Sequence, residues 1–130
     1  MIFLDESGFS QKPSIRRTWG RRGCTPILIH NFNWKRLSAS GALICSPAGR
    51  RIRLRLRFLE GTFKTPDVLH VIQALHREFP GPMTLLWDRL AAHRGHRMQA
   101  YFRQAIEAGW LAVEWLPAYA PELNPVEYVW

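Results

Sequence analysis

The chain has 130 residues, enough to bury the core of one domain, and its 47% hydrophobic content argues against disorder. Eighteen Lys and Arg against ten Asp and Glu give a net charge of +8, which favours a nucleic-acid partner over simple solubility. The two cysteines lack metal-binding spacing and no apolar run is long enough to cross a membrane. We therefore expect a soluble, cytoplasmic protein without membrane association.

The first half of the chain predicts three strands without intervening helices. Ile2-Phe3-Leu4 is an apolar run ending at Asp5, so we expect a short buried strand and then a turn. Residues 10–33 are irregular and basic, and a weakly alternating strand follows at 37–45. In the predicted strand at 50–58, four arginines alternate with four apolar residues. This arginine face is equally consistent with DNA contact and with protection of an outer strand against aggregation.

The second half alternates helices and strands. Thr65-Pro66-Asp67 predicts a helix start with Thr65 as the cap, and apolar residues at helical spacing continue to Phe79. Strands are expected at 83–87 and 111–116, with a helix at 95–108 between them, ended by Gly109, and a last helix beginning at Asn124-Pro125. Short turns suit antiparallel pairing and helical crossovers suit parallel pairing, so we predict an α/β fold with a mixed five-stranded sheet flanked by helices.

Three acidic residues stand where an α/β sheet presents functional groups. Asp5 and Asp88 each follow a predicted strand, and Glu127 lies in the first turn of the last helix. Either aspartate alone is typical of a turn, and Glu127 also fits a capping box that reaches back to Asn124. Three converging carboxylates suit Mg²⁺, and two such ions about 4 Å apart assist in-line displacement at phosphorus. Alternation places Glu6 on the opposite face from Asp5, which excludes it from this site.

A basic loop is predicted beside the first strand. It combines cations with an aromatic residue, which favours contact with the DNA backbone over a solvated loop. The candidate DNA-binding residues are Lys12, Arg16, Arg17, Trp19, Arg21 and Arg22. His93 follows Asp88 by five residues, and we interpret it as a hydrogen-bonding loop residue because Mg²⁺ prefers oxygen ligands.

Four blocks of the sequence resemble bacterial insertion-sequence transposases of the mariner superfamily, with their DDE superfamily endonuclease domain. The blocks are residues 3–9 (FLDESGF), 18–23 (TWGRRG), 86–93 (LWDRLAAH) and 119–127 (YAPELNPVE). The resemblance implies a ribonuclease H-like fold, with Asp5, Asp88 and Glu127 as the catalytic triad that binds two Mg²⁺ or Mn²⁺ ions.

The same resemblance implies a reaction and its partners. Transposon ends are nicked to release a 3′-hydroxyl, which attacks target DNA, usually at a TA dinucleotide, without a covalent enzyme intermediate. The implied partner is DNA, with a homodimer as the working form, no small-molecule substrate and a location at the bacterial nucleoid.

The sequence departs from the family pattern in several places. Arg89 follows Asp88 where many relatives have a small or amide residue, and 38 residues separate Asp88 from Glu127. The family's N-terminal helix-turn-helix region is not in this sequence, which ends three residues after Glu127. We therefore expect residues 1–130 to form a catalytic domain with a shortened, weakly held last helix. Two alternatives stay open: an inactive remnant that only binds DNA, and a nuclease that cuts RNA–DNA hybrids.

Overall fold

The computed structural model describes residues 1–10, 19–27, 35–88, 95–118 and 120–130. These residues form five strands, two α-helices and two short 3-10 helices. The strands and α-helices are β1 (Ile2–Ser10), β2 (Arg36–Cys45), β3 (Ile52–Glu60), α1 (Thr65–Glu78), β4 (Met83–Trp87), α2 (His96–Glu107) and β5 (Leu111–Trp115). The 3-10 helices are Pro121–Leu123 and Pro125–Val129, and we call the second one the Glu127 helix. None of these helices is long and apolar enough to cross a membrane.

The five strands form one mixed sheet, as predicted, and their order in the sheet is β3-β2-β1-β4-β5. β1 and β3 run antiparallel to β2, while β4 runs parallel to both β1 and β5. The parallel pairing of β1 with β4 is short and covers only Ile2↔Leu85 and Phe3↔Leu86. β1 continues to Ser10 whereas β4 ends at Trp87, and the two strands are no longer paired beyond Phe3 and Leu86. We call the place where their pairing ends the β1–β4 cleft.

The prediction that the first strand turns after Asp5 is wrong. β1 continues for five more residues, paired with β2 without interruption from Ile2↔Ile44 to Ser10↔Arg36. The polar run after Asp5 resembles a turn in sequence, but the antiparallel ladder satisfies its backbone groups. Asp5 therefore lies within a strand, held by β2, instead of in a loop.

Both α-helices cover the same face of the sheet and bury the main core there. Val68, Leu69, Ile72 and Leu75 of α1 and Met98, Phe102 and Ala105 of α2 belong to this core. The strands contribute Leu4, Leu85 and Trp87, each with 0% exposure. We call this side the helix face and the other side the Asp5 face.

The boundaries of the helices follow local capping. α1 begins at Thr65, but the residue outside it is Lys64, whose backbone N–H donates to Asp67 Oδ2 at 2.9 Å. The prediction of Thr65 as the cap was therefore one residue late, because the Asp67 carboxylate reaches back to Lys64. α2 is followed by Gly109 at φ 75°, the left-handed position that ends the helix as predicted.

β3 is an edge strand whose two faces differ sharply. Arg53 and Arg55 lie over the Phe79 ring, 5.6 and 5.9 Å from its centroid, and Arg55 forms an ion pair with Glu78. The arginine face therefore contacts the end of α1, a role that neither sequence-based alternative included. The apolar residues of β3 lie exposed on the Asp5 face: Ile52, Leu54, Leu56 and Phe58.

Candidate active site

The two aspartates of the predicted triad lie level with each other where β1 and β4 separate. The register Ile2↔Leu85 and Phe3↔Leu86, continued along both chains, brings Asp5 opposite Asp88. Adjacent strands lie about 4.8 Å apart where they pair, and the pairing of β1 with β4 ends two residues before the level of Asp5 and Asp88. Leu4 and Trp87 are buried on the helix face, and alternation turns the next residue of each chain to the Asp5 face. Two carboxylates are thus presented on one side of the cleft.

The Glu127 helix packs on the Asp5 face and brings a third acid towards this cleft. Val126 is fully buried beneath it, and the Asn124 Nδ2 amide donates to the Leu4 carbonyl oxygen at 3.3 Å. Asn124 Oδ1 also accepts the Val126 N–H at 3.2 Å, which caps the helix. One side chain therefore both begins the helix and attaches it to β1, directly before Asp5.

The capping box that was the alternative interpretation of Glu127 does not form. The Asn124 backbone N–H, which a capping-box carboxylate would accept, donates instead to the Pro121 carbonyl at 2.9 Å. The helix is also 3-10 and not α, because a tight turn at 121–123 leads directly into it. Glu127 is exposed.

Asp5 is a buried carboxylate in an unfavourable electrostatic position. Its residue is 7% exposed, and burial raises its pKa from 3.8 to about 6. Trp130 Nε1 donates to Asp5 Oδ2 at 2.7 Å and opposes this rise, whereas the negative charges of Glu127 and Glu6 add to it. Asp5 and Glu127 are therefore close enough to repel each other, and a cation between them would relieve the repulsion.

The residues present fit a divalent cation in kind. Carboxylate oxygens are the ligands that Mg²⁺ and Mn²⁺ prefer. Asp5 lies in β1, and Asp88 directly follows β4, the strand that pairs with β1. In the described part of the chain, however, no three Asp, Glu, His or Cys side chains converge into a metal-binding group. Asp5 and Asp88 are thus the primary candidate ligands, while Glu127 influences Asp5 without closing the site.

Of the predicted DNA-binding residues and His93, the structure describes only some. Lys12, Arg16, Arg17 and His93 lie outside the described residues. Trp19, Arg21 and Arg22 are exposed, and Trp19 fully so, in a segment where the Cys24 N–H donates to the Arg21 carbonyl at 2.9 Å. Glu6, excluded from the site by alternation, lines a hollow beside Thr65 and Val68 at the start of α1, which confirms its place on the helix face.

Sequence reasoning missed three residues that shape the site: Asn124, Trp130 and Gly41. Asn124 was considered only as a cap, and nothing local indicated that Trp130 contacts Asp5. Gly41 gave a readable signal, since a glycine inside a strand often marks the close approach of another group. Here the Trp130 indole and Val126 Cγ1 both lie within 3 Å of where a Cβ of residue 41 would be.

The sheet order and the single helix-covered face are those of a ribonuclease H-like fold. The family model of the DDE superfamily endonucleases matches residues 1–130, so the chain belongs to that family. A comparison with curated protein sequences gives no significant match.

Solved structures of Mos1 transposase share the fold. The chain aligns with a paired-end complex with left transposon end at a TM-score of 0.60 and 18% identity, covering 98% of this chain and 38% of that one. The strand transfer complex gives 0.63 and 16%, covering 98% and 37%, and the mariner paired-end complex with Mn gives 0.59 and 19%, covering 98% and 38%. The chain thus spans under two fifths of the Mos1 chains it matches.

Proposed function

We propose that this domain is the catalytic domain of a DNA transposase, in which Asp5, Asp88 and Glu127 act with divalent cations to cut transposon ends. The observation that carries the proposal is the parallel pairing of β1 with β4, whose register, continued by two residues, brings Asp5 and Asp88 to the same level. Glu127 supports it, since its charge raises the pKa of Asp5. Membership of the DDE superfamily endonuclease family along the whole chain gives this cleft its chemical interpretation.

The proposed chemistry is hydrolysis followed by strand transfer. Water attacks the phosphorus of a phosphodiester and the P–O3′ bond breaks, which leaves a 5′-phosphate and a 3′-hydroxyl. This hydroxyl attacks a phosphorus of target DNA at a TA dinucleotide, where the target's own P–O3′ bond breaks and its 3′-oxygen leaves as a new 3′-hydroxyl. Asp5 and Asp88 would hold Mg²⁺ or Mn²⁺, with two ions expected, and the bound cation supplies Lewis-acid stabilisation of the phosphoryl oxygens. The protein contributes positioning: β2 fixes the backbone of Asp5, and the Glu127 helix covers one side of it.

DNA is the proposed partner because of charge and exposure. The net charge is +8, and Arg21 and Arg22 lie exposed beside the fully exposed Trp19. The Mos1 neighbours were solved as complexes with transposon DNA, which agrees with this proposal. We further propose a homodimer as the working form and a place at the bacterial nucleoid in the cytoplasm.

The test is nicking of supercoiled plasmid by the purified chain. We expect nicked circles with Mn²⁺ or Mg²⁺, products ending in 3′-hydroxyl groups, and no cleavage in EDTA. Cleavage that persists in EDTA would refute the metal-dependent mechanism. Preferential cleavage of an RNA–DNA hybrid over duplex DNA would replace the transposase assignment with a hybrid-specific nuclease.

A second function, DNA binding without cleavage, is favoured by one observation. In the described residues three metal-ligating side chains do not converge, and Glu127 is exposed. Salt-sensitive DNA binding with no nicking at any Mn²⁺ or Mg²⁺ concentration would establish this function in place of the first.

The exposed arginine pair predicts a measurable change in salt dependence. Arg21→Ala with Arg22→Ala is expected to lower the slope of log K against log salt by about 2, since each lost phosphate contact removes about one released counterion. Fluorescence anisotropy of labelled duplex DNA between 50 and about 200 mM salt measures this slope. Arg97→Ala with Arg103→Ala, two exposed residues of α2, is the matched control. An equal loss in both double variants would show that the effect is general charge and not a contact at Arg21 and Arg22.

A further inference from the structure

The Trp130 indole packs on the sheet over Gly41 and contacts the Asp5 carboxylate. Its Nε1 donates to Asp5 Oδ2 at 2.7 Å, and its ring meets Phe9 edge-on, with centroids 5.9 Å apart and planes at 72°. Phe9 belongs to the same strand as Asp5 and, by alternation, to the same face. The ring contact with Phe9 thus holds the indole in place, and its N–H points at the Asp5 carboxylate.

Gly41 makes this position of the indole possible. It is the register partner of Asp5 on β2, in the interior of the sheet where glycine is otherwise unfavourable. A Cβ at residue 41 would lie 2.8 and 2.9 Å from two carbons of the Trp130 ring and 2.9 Å from Val126 Cγ1. Any side chain here would therefore displace the indole, and with it the donor that contacts Asp5.

The hydrogen bond restricts what the Asp5 carboxylate can do. The indole N–H holds Oδ2 of this carboxylate, and the Glu6 backbone also forms a hydrogen bond with the carboxylate, so two donors restrict its orientation. Partners that orient a metal ligand in this way commonly change metal affinity as strongly as some ligands do.

We propose that Trp130 is a positioning residue that orients Asp5 for cation binding, and that Gly41 is the space that admits its indole. The inference rests on the proposed function, since it assigns Asp5 as a metal ligand. It predicts that Trp130 acts through its N–H and not merely through the area that its ring buries.

The test compares Mn²⁺ affinity in four forms of the full chain by titration with electron paramagnetic resonance. Trp130→Phe retains a ring over Gly41 but lacks the N–H, and we expect its dissociation constant to rise about tenfold or more. Gly41→Ala moves the indole away and should weaken binding to a similar extent. Because both changes break one hydrogen bond, the double variant should bind no more weakly than the weaker single variant. Trp110→Phe, a tryptophan stacked on His76 outside the site, is the matched control.

Two further readouts separate positioning from folding. The melting temperature of each variant shows whether it folds, and the indole N–H resonance that disappears in Trp130→Phe should shift in Asp5→Asn and on addition of Mg²⁺. Unchanged Mn²⁺ affinity in a folded Trp130→Phe variant, or an indole resonance indifferent to Asp5→Asn, overturns the positioning role alone. A native chain that binds no Mn²⁺ overturns the role and the proposed metal chemistry together.

Discussion

Asp5→Asn is expected to abolish metal-dependent nicking and, at the same time, to make the protein more stable above pH 6. The loss of activity should be about a thousandfold or greater, since a ligated cation contributes several kcal/mol of transition-state stabilisation. The gain in stability follows from the burial of the Asp5 carboxylate, which is costly when it is ionised. A single substitution thus moves activity and stability in opposite directions.

The pH dependence fixes the sign of the stability change. The folded pKa of Asp5 is about 6, above its usual value of 3.8, so between these two pH values the folded state retains a proton that the unfolded state has released. The stability of the native sequence therefore falls as the pH rises through this window. Asp5→Asn lacks this titration, and its advantage should grow from near zero below pH 4 to on the order of 2 kcal/mol above pH 6.

Thermal unfolding from pH 3.5 to 8, in EDTA and in Mg²⁺, measures this difference. In EDTA at pH 8 the variant should melt at the higher temperature, while Mg²⁺ should raise the melting temperature of the native sequence only, because a ligand stabilises the state that binds it. Asp67→Asn changes the one remaining aspartate of the chain, which caps α1 and belongs to none of the proposed ligands, and it should leave nicking intact. Equal stability of Asp5→Asn and the native sequence at both ends of the range would contradict the pKa assignment.

The strands were predictable because each has its own local pattern. β3 and β4 gave clear alternation and an apolar run, and their positions agree with the prediction to within two residues. The mixture of antiparallel and parallel pairing followed from connection lengths, with short turns between early strands and helices between later ones. Alternation could not predict which face of β3 would be covered by a helix. The arginines lie on the helix face beside the end of α1, whereas Leu54 and Leu56 lie exposed on the Asp5 face.

The errors came where a local pattern competed with a distant partner. Glu6-Ser7-Gly8 has the composition of a turn, yet β2 holds it in a strand through pairs 30 to 34 residues apart. Glu127 fitted a capping box, but Pro121 already accepts the Asn124 N–H.

The chemistry of the site was readable from the sequence, whereas its assembly was not. Three acids in family order identify the candidate ligands, since residue type and motif are local information. The hydrogen bond between Trp130 and Asp5 spans 125 residues, and no spacing rule encodes a contact of that separation. Gly41 was a local sign of this contact, because a glycine inside a central strand often marks the close approach of another group.

Asn124→Ala is expected to cost about 2–3 kcal/mol of unfolding free energy, because it removes both a helix cap and a buried hydrogen bond. Asn124 is 3% exposed, accepts from the Val126 N–H and donates to the Leu4 carbonyl. With the link to Leu4 lost, the Glu127 helix should move away from β1. A displacement near 1 Å is enough to lower nicking by about a hundredfold.

Two variants separate the cap from the link to β1. Asn124→Ser keeps a capping oxygen but is too short to reach Leu4, so it should recover part of the stability while nicking stays low. Gln99→Ala removes an exposed amide from α2 and should change neither quantity. Chemical denaturation gives the free energies, and plasmid nicking at a temperature where every variant is folded gives the activities. Full nicking by Asn124→Ser would show that the cap alone positions Glu127, and the contact with Leu4 would then have no part in holding the third acid beside Asp5.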